Sequence, residues 1–350
     1  MRTIAGISFE EAQKVRGTFR VPRTDYQLPV TIISGSRPGK TVLLTAGIHS
    51  CEYVGIQAAL EFERELMPAD IRGTLIIIPV VNRTGVEQRT PTIVPEDGKN
   101  LNRVFPGRLD GSPSEKLAYF FTDQIFPEID FYIDLHSGGI YEDLDHYVYF
   151  TGACSQEVSD YAMGAARYCH VPYMVKSGST TGCYNYAGVM GVPSILLERG
   201  GKGRWTWEEV KSDKKDVINM LRYIGTLDGE PEAPDVEPFL LENPIYAQIS
   251  YSGFWYTDLH AGDEIRRGQE LGYVTDYEGN ILERIYSHHD GKVLYLTKTL
   301  WASTLTEVVC YATICGGVEC HEDHDQEDHD HTDHRHDGTE SGPIDNRSSH

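Results

Sequence analysis

The chain has no long apolar run: the longest, Leu75 to Val81, is seven residues and contains Pro79. A helix needs about 20 apolar residues to cross a bilayer, so no membrane span is expected. Cations are also scarce. Lys and Arg number 31 against 53 Asp and Glu, and the net charge of −22 argues against a nucleic-acid backbone or an anionic membrane surface as partner. The start, MRTIAGISFEEAQK, has paired glutamates where a signal peptide would be apolar, so a cytoplasmic protein is expected. Cysteines are few, scattered and odd in number, seven in 350 residues, which reads as free thiols rather than a disulfide framework. At 40% apolar and 24% charged residues, the rest can bury a core without staples.

The last 30 residues, His321 to His350, have no aromatic residue and only Ile344 as a large apolar one. They hold seven of the 14 histidines and ten Asp or Glu against two Arg. Such a segment cannot bury enough surface to offset its ordering entropy, so a disordered His/Asp-rich tail is expected at 321–350. Its run HEDHDQEDHDHTDHRHD offers weak sites for additional divalent metals, which Cys315 and Cys320 could join. A Pro- and Glu-rich linker, GEPEAPDVEP, divides the remainder into a first portion, 1–228, and a second portion, 239–318.

Within 1–228, TVLLTA, TLIIIPVV, FYIDL and VPSILLE are apolar runs of buried-strand length. Helices fall between and after them. Ser112-Pro113-Ser114-Glu115 supplies a cap, a proline at the first helical position and a capping-box Glu, and Thr206 with Glu209 repeats the box before the final helix. Alternating strands and helices predict an α/β fold, a parallel or mixed sheet with helices on both faces and ligands at the carboxyl ends of its strands. Residues 239–318 instead show short strand-like runs, IYAQI, ELGYVTD, ILERIY and KVLYL, which predict a small all-β, barrel-like module.

Directly after TVLLTAG stand His49 and Glu52, an imidazole and a carboxylate three residues apart that can turn toward one point. A zinc site needs a third ligand, and His136, after FYIDL and before Ser-Gly-Gly, is the candidate. Two His and one Glu with an open fourth position make a catalytic rather than a structural site. Asp134, on the same strand face as His136, is placed to orient a ligand. Glu198 ends the apolar run VPSILLE, where a carboxylate is costly without a task, and is the candidate base. Asn102 and Arg103, in NLNRVFPG, and Arg89 upstream offer amide and guanidinium donors suited to a substrate carboxylate.

His49-x-x-Glu52, Asn102-Arg103, His136 in DLHSG and Glu198 at a strand end, in this order, resemble the zinc carboxypeptidase superfamily and, within it, the succinylglutamate desuccinylase/aspartoacylase family. The resemblance spans roughly residues 25 to 318. It implies one zinc held by His49, Glu52 and His136, with Glu198 activating water, Arg89 polarising the scissile carbonyl, and Asn102 and Arg103 binding the substrate carboxylate. It also implies hydrolysis of a small N-acyl amino acid. Aspartoacylase-like enzymes carry a further Arg before the catalytic strand to grip an acidic acyl group, and Ser177 to Met190 contains none; Arg199, Lys202 or Arg204 could replace its charge. The runs AGDEIRRGQELGYV and SHHDGKVL resemble a biotinyl or lipoyl barrel without its carrier lysine, so the β-module is expected to serve as a lid or wall of the cleft.

The expected function is a zinc-dependent amidohydrolase that deacylates a small N-acyl amino acid. A metallocarboxypeptidase acting on short peptides would use the same atoms. A zinc-buffering protein with an idle site is the alternative of another class.

Overall fold

The computed structural model describes residues 1–314. Twelve strands build the sheet that positions the site: β1 (Lys14–Arg20), β2 (Gln27–Ser34), β3 (Arg37–Ala46), β4 (Arg72–Ile78), β5 (Phe131–His136), β6 (Glu142–Leu144), β7 (Tyr147–Thr151), β8 (Tyr173–Ser177), β9 (Ser194–Glu198), β10 (Phe239–Gln248), β11 (Gly291–Thr297) and β12 (Glu307–Ile314). With the short strand Glu264–Ile265 beside β11, they form one mixed sheet in the order β6-β11-β12-β10-β8-β7-β9-β5-β3-β4-β2-β1. Strands β4, β3, β5 and β9 run parallel to one another.

The apolar runs are continuous because both faces of the sheet are covered. Val42, Leu44 and Ala46 of β3 point into one core with Ile133 and Leu135 of β5. Leu43 and Tyr132, one residue out of phase, point into the other. On the first face lie α1 (Tyr53–Glu65), α4 (Gln156–Ala166) and α6 (Trp207–Ile224). The second face is covered by α3 (Pro113–Phe120) and α5 (Cys183–Val189), while α2 (Arg83–Gln88) follows β4. The predicted helix starts are used as read: Glu115 accepts the Ser112 N–H at 2.9 Å, and Thr206 Oγ1 accepts the Glu209 N–H at 3.2 Å.

The C-terminal β-module is present. Strands Gly253–Tyr256, Glu270–Thr275, Ile281–Tyr286 and Trp301–Ala302 form a four-stranded sheet with a small core around Trp255, Leu271 and Val274. The other strands of this segment extend the main sheet: β10 pairs in parallel with β8, and β12 and β11 follow in order. Among the described residues no helix is long and apolar enough to cross a membrane, and the five cysteines there are free. The expectations for the tail at 321–350, for Cys315 and for Cys320 lie outside the described residues.

Candidate active site

Strands β3, β5 and β9 end on the same edge of the sheet, so the residues at and just after their carboxyl ends converge. Glu198, the last residue of β9, lies directly beside His136, the last of β5. β3 ends at Ala46, and Gly47, at φ +66°, turns the chain toward His49. Glu52 caps α1, and that helix packs against β5 through Gly55, where an added Cβ would sit 2.6 Å from the Leu135 Cβ. The absence of a side chain at Gly55 thus lets Glu52 reach His136.

His49, Glu52 and His136 place their ligand atoms within 4.8 Å of one another. The Nδ1 of His49 is 2.7 Å from Glu52 Oε1, and the Nδ1 of His136 is 2.9 Å from Glu52 Oε2. Each outer nitrogen is tied back: His49 Nε2 lies 3.1 Å from Asn100 Oδ1, and His136 Nε2 lies 3.2 Å from Asp134 Oδ2. With Nε2–H donating to those oxygens, both Nδ1 lone pairs face the carboxylate, the arrangement a divalent cation requires. Burial by itself would raise the Glu52 carboxyl, but the two imidazoles and their hydrogen bonds outweigh it and bring its pKa down to about 2. Burial would lower His136, yet Glu52 and Asp134 hold it well above the ordinary histidine value. A metal ion would take the place of the positive charge these groups now draw from protons, so the donor set fits zinc.

Asp134, fully buried, accepts at Oδ1 from Thr45 Oγ1 at 2.6 Å. Thr45 Oγ1 is also 2.7 Å from the Tyr132 hydroxyl, which lies 3.0 Å from Cys183 Sγ at the start of α5. This chain of buried polar atoms locks the carboxylate that orients His136. Glu198 Oε2 is shielded from solvent and has no hydrogen-bond partner among the described residues. Burial, then the negative charge of Glu52, raises the Glu198 carboxyl well above the usual range.

His49, Glu52, His136 and Glu198 line a cavity of about 1190 Å³, one wall of which comes from the C-terminal segment, including Tyr246, Tyr295, Trp301 and Glu307. Asn102 and Arg103 line it too. The Asn102 carboxamide oxygen already accepts the Cys183 N–H at 2.8 Å, so its N–H groups are what it offers a ligand. Arg103 is half-exposed and lies 3.3 Å from Glu307 Oε1. Arg89 caps the C-terminus of α2 with its side chain exposed, and it is not among the residues lining the cavity. The charges after Glu198 do not reach the cavity either: Arg199 pairs with Asp213 and Asp216 of α6, Lys202 pairs with Asp143, and Arg204 is exposed.

Sequence reasoning assigned no role to Asn100, Thr45, Glu142, Tyr295 or Glu307. Thr45 carries a weak signal as a hydroxyl inside a buried apolar strand, and Asn100 opens the NLNR run. Glu142 accepts the Gly139 N–H at 2.7 Å and lines the cavity, while Glu307 accepts from the Tyr295 hydroxyl. Nothing local marks these two glutamates among the chain's many acidic residues.

A model of the succinylglutamate desuccinylase/aspartoacylase catalytic domain matches residues 38–224. The N-alpha-acetyl-L-2,4-diaminobutyric acid deacetylase of Halomonas elongata is 30% identical over 285 residues, covering 78% of this chain and 83% of that protein. The crystal structure of succinylglutamate desuccinylase/aspartoacylase from Rhodobacter sphaeroides superimposes with a TM-score of 0.76 at 26% identity, over 89% of this chain and 99% of that one. The product-bound ectoine utilization protein EutE (DoeB) from Ruegeria pomeroyi gives 0.75 at 25% identity, over 88% and 97%. With half of the chain matched by the family model and a relative at 30% identity across most of it, the chain belongs to the succinylglutamate desuccinylase/aspartoacylase family.

Proposed function

We propose that this chain is a zinc-dependent amidohydrolase that removes an acyl group from a small N-acyl amino acid, releasing a carboxylate and a free amino acid. The observation that carries this reading is the convergence of His49 Nδ1, Glu52 and His136 Nδ1 beside the unpartnered Glu198 Oε2 in one cavity. The Halomonas relative, named as an acetyl-amino-acid deacetylase, supports an acetyl group on an α-amine. Zinc held by the three ligands would act as a Lewis acid and bring the pKa of water down to about 7.

The remaining work falls to the chain. Glu198 accepts the proton of the attacking water at its free Oε2 and returns it to the amide nitrogen as the C–N bond breaks. Asn102 N–H groups and the Arg103 guanidinium hold the substrate's α-carboxylate. Asp134 and Asn100 keep the imidazoles turned so that Nδ1 faces the ligand centre.

Zinc content tests the reading. After exchange against a weak chelator to strip loosely bound ions, the wild type should hold about one zinc per chain more than the His49→Ala/His136→Ala protein by elemental analysis. Equal zinc in both would overturn the ligand assignment. Arg103→Ala should lower kcat/KM by about 1.5–3 kcal/mol, mostly through KM, because it removes a charged contact made in ground and transition states alike. Steady-state kinetics on N-acetyl amino acids check this, and a loss confined to kcat would contradict it.

A further inference from the structure

The charge lining the cavity is unbalanced. Among the described residues four carboxylates, Glu52, Glu142, Glu198 and Glu307, face a single guanidinium, Arg103. Glu52 is taken by the metal ligands and Glu198 by proton transfer. Glu307 is engaged twice, by Arg103 and by the Tyr295 hydroxyl. Glu142 remains. One of its oxygens accepts the Gly139 N–H, and no cationic side chain among the described residues pairs with it. Its backbone is held firmly: β6 pairs with β11, Glu142 standing opposite Thr297, and the Glu142 N–H donates to the Gly139 carbonyl at 3.2 Å.

With a divalent metal bound, the four carboxylates in their ionised form outnumber the positive charges of the metal and Arg103 by one before any substrate enters. An N-acyl amino acid brings one more carboxylate. A second carboxylate on its side chain would add further repulsion, whereas an ammonium there would meet a carboxylate that has no cationic partner among the described residues. No replacement cation follows Glu198 into the cavity, since Arg199 and Lys202 are committed elsewhere. A separate observation in the same cavity points to a ligand: Glu198 Oε2 is shielded there and has no partner among the described residues.

We infer that the amino-acid part of the substrate carries a positively charged amine on its side chain, and that Glu142 is the residue that recognises it. This rests on the deacylase reading above. It makes Glu142 a specificity-determining residue rather than a participant in bond breaking.

The test compares the full-length zinc-loaded chain and its variants on Nα-acetyl-L-2,4-diaminobutyrate, on Nα-acetyl-L-norvaline, in which a methyl replaces the ammonium, and on Nα-acetyl-L-aspartate. The wild type should favour the diamino substrate in kcat/KM. Glu142→Gln should shrink its preference over norvaline by roughly 10–100-fold, mainly through KM. Glu142→Asp should restore part of it, and Glu142→Lys should shift preference toward the aspartate. An unchanged preference in Glu142→Gln, or a wild type that favours norvaline or aspartate, would overturn the inference and leave the deacylase reading standing. If the wild type cleaves none of the three, the deacylase reading fails. Calorimetry of free 2,4-diaminobutyrate against wild type and Glu142→Gln then decides the role of Glu142 separately: equal binding overturns it, and weaker binding to the variant supports it.

Discussion

Glu198→Gln is expected to lower kcat by about 10²–10⁴-fold while leaving zinc content unchanged. The amide keeps the shape of the carboxylate at the end of β9 but cannot accept the water proton. Glu198 is not among the three residues whose donors converge, so the metal should stay. Kinetics on N-acetyl amino acids together with elemental analysis separate the two effects. Turnover within a few-fold of wild type would move the base elsewhere, and loss of zinc along with activity would make Glu198 a ligand.

Arg199→Met should destabilise the fold by about 3–5 kcal/mol, the usual result of removing one partner of a buried charge pair. Arg199 is buried against Asp213 and Asp216, both fully buried, and its Nε donates to Asp213 at 2.9 Å. One guanidinium cannot offset two carboxylates. Burial raises the Asp213 carboxyl to about 8, with Arg199 opposing and Asp216 adding to the rise. A carboxyl whose folded pKa lies above its unfolded value near 3.8 binds protons preferentially in the folded state, so its contribution to stability falls as pH rises from about 4 to 8. In Arg199→Met Asp213 loses its counter-charge and Asp216 keeps only His170, whose Nδ1 lies 3.2 Å away, so the destabilisation should be smaller at pH 5 than at pH 8. Denaturant melts at the two pH values check this; an equal loss at both would mean that packing rather than charge is what Arg199 contributes. The same substitution should weaken catalysis indirectly: it keeps the backbone N–H that donates to the His136 carbonyl at 3.2 Å but removes the side chain that anchors this residue, the chain neighbour of Glu198, to α6.

The different fates of the charged residues show how far local pattern reaches. Arg199 and Glu198 are neighbours in sequence, but β9 ends between them, and the two side chains go to different places: one to the cavity, one to α6. Alternation along a strand predicts such a divergence without naming the partner. Arg103 and Glu307 are 204 residues apart and meet only because β12 is part of the sheet that walls the cavity. Arg89 marks the same limit. Its position in the chain suggests a contact with substrate, whereas the left-handed turn that closes α2, at φ 60°, leaves its side chain exposed.

By itself the sequence determined the features that depend on near neighbours: apolar runs of strand length, capped helix starts, and the ligand-type residues His49, Glu52, His136 and Glu198 at strand ends. These are legible because strand and helix periods are local and because parallel strands deliver their carboxyl ends to one edge. The tertiary structure alone decided which oxygens orient the imidazoles, that β10, β11 and β12 continue the main sheet, and that Glu142 and Glu307 stand on the cavity wall. Those features arise where segments far apart in the chain pair or pack. The pairing is chosen by the sum of many contacts across the fold, and no local spacing records it.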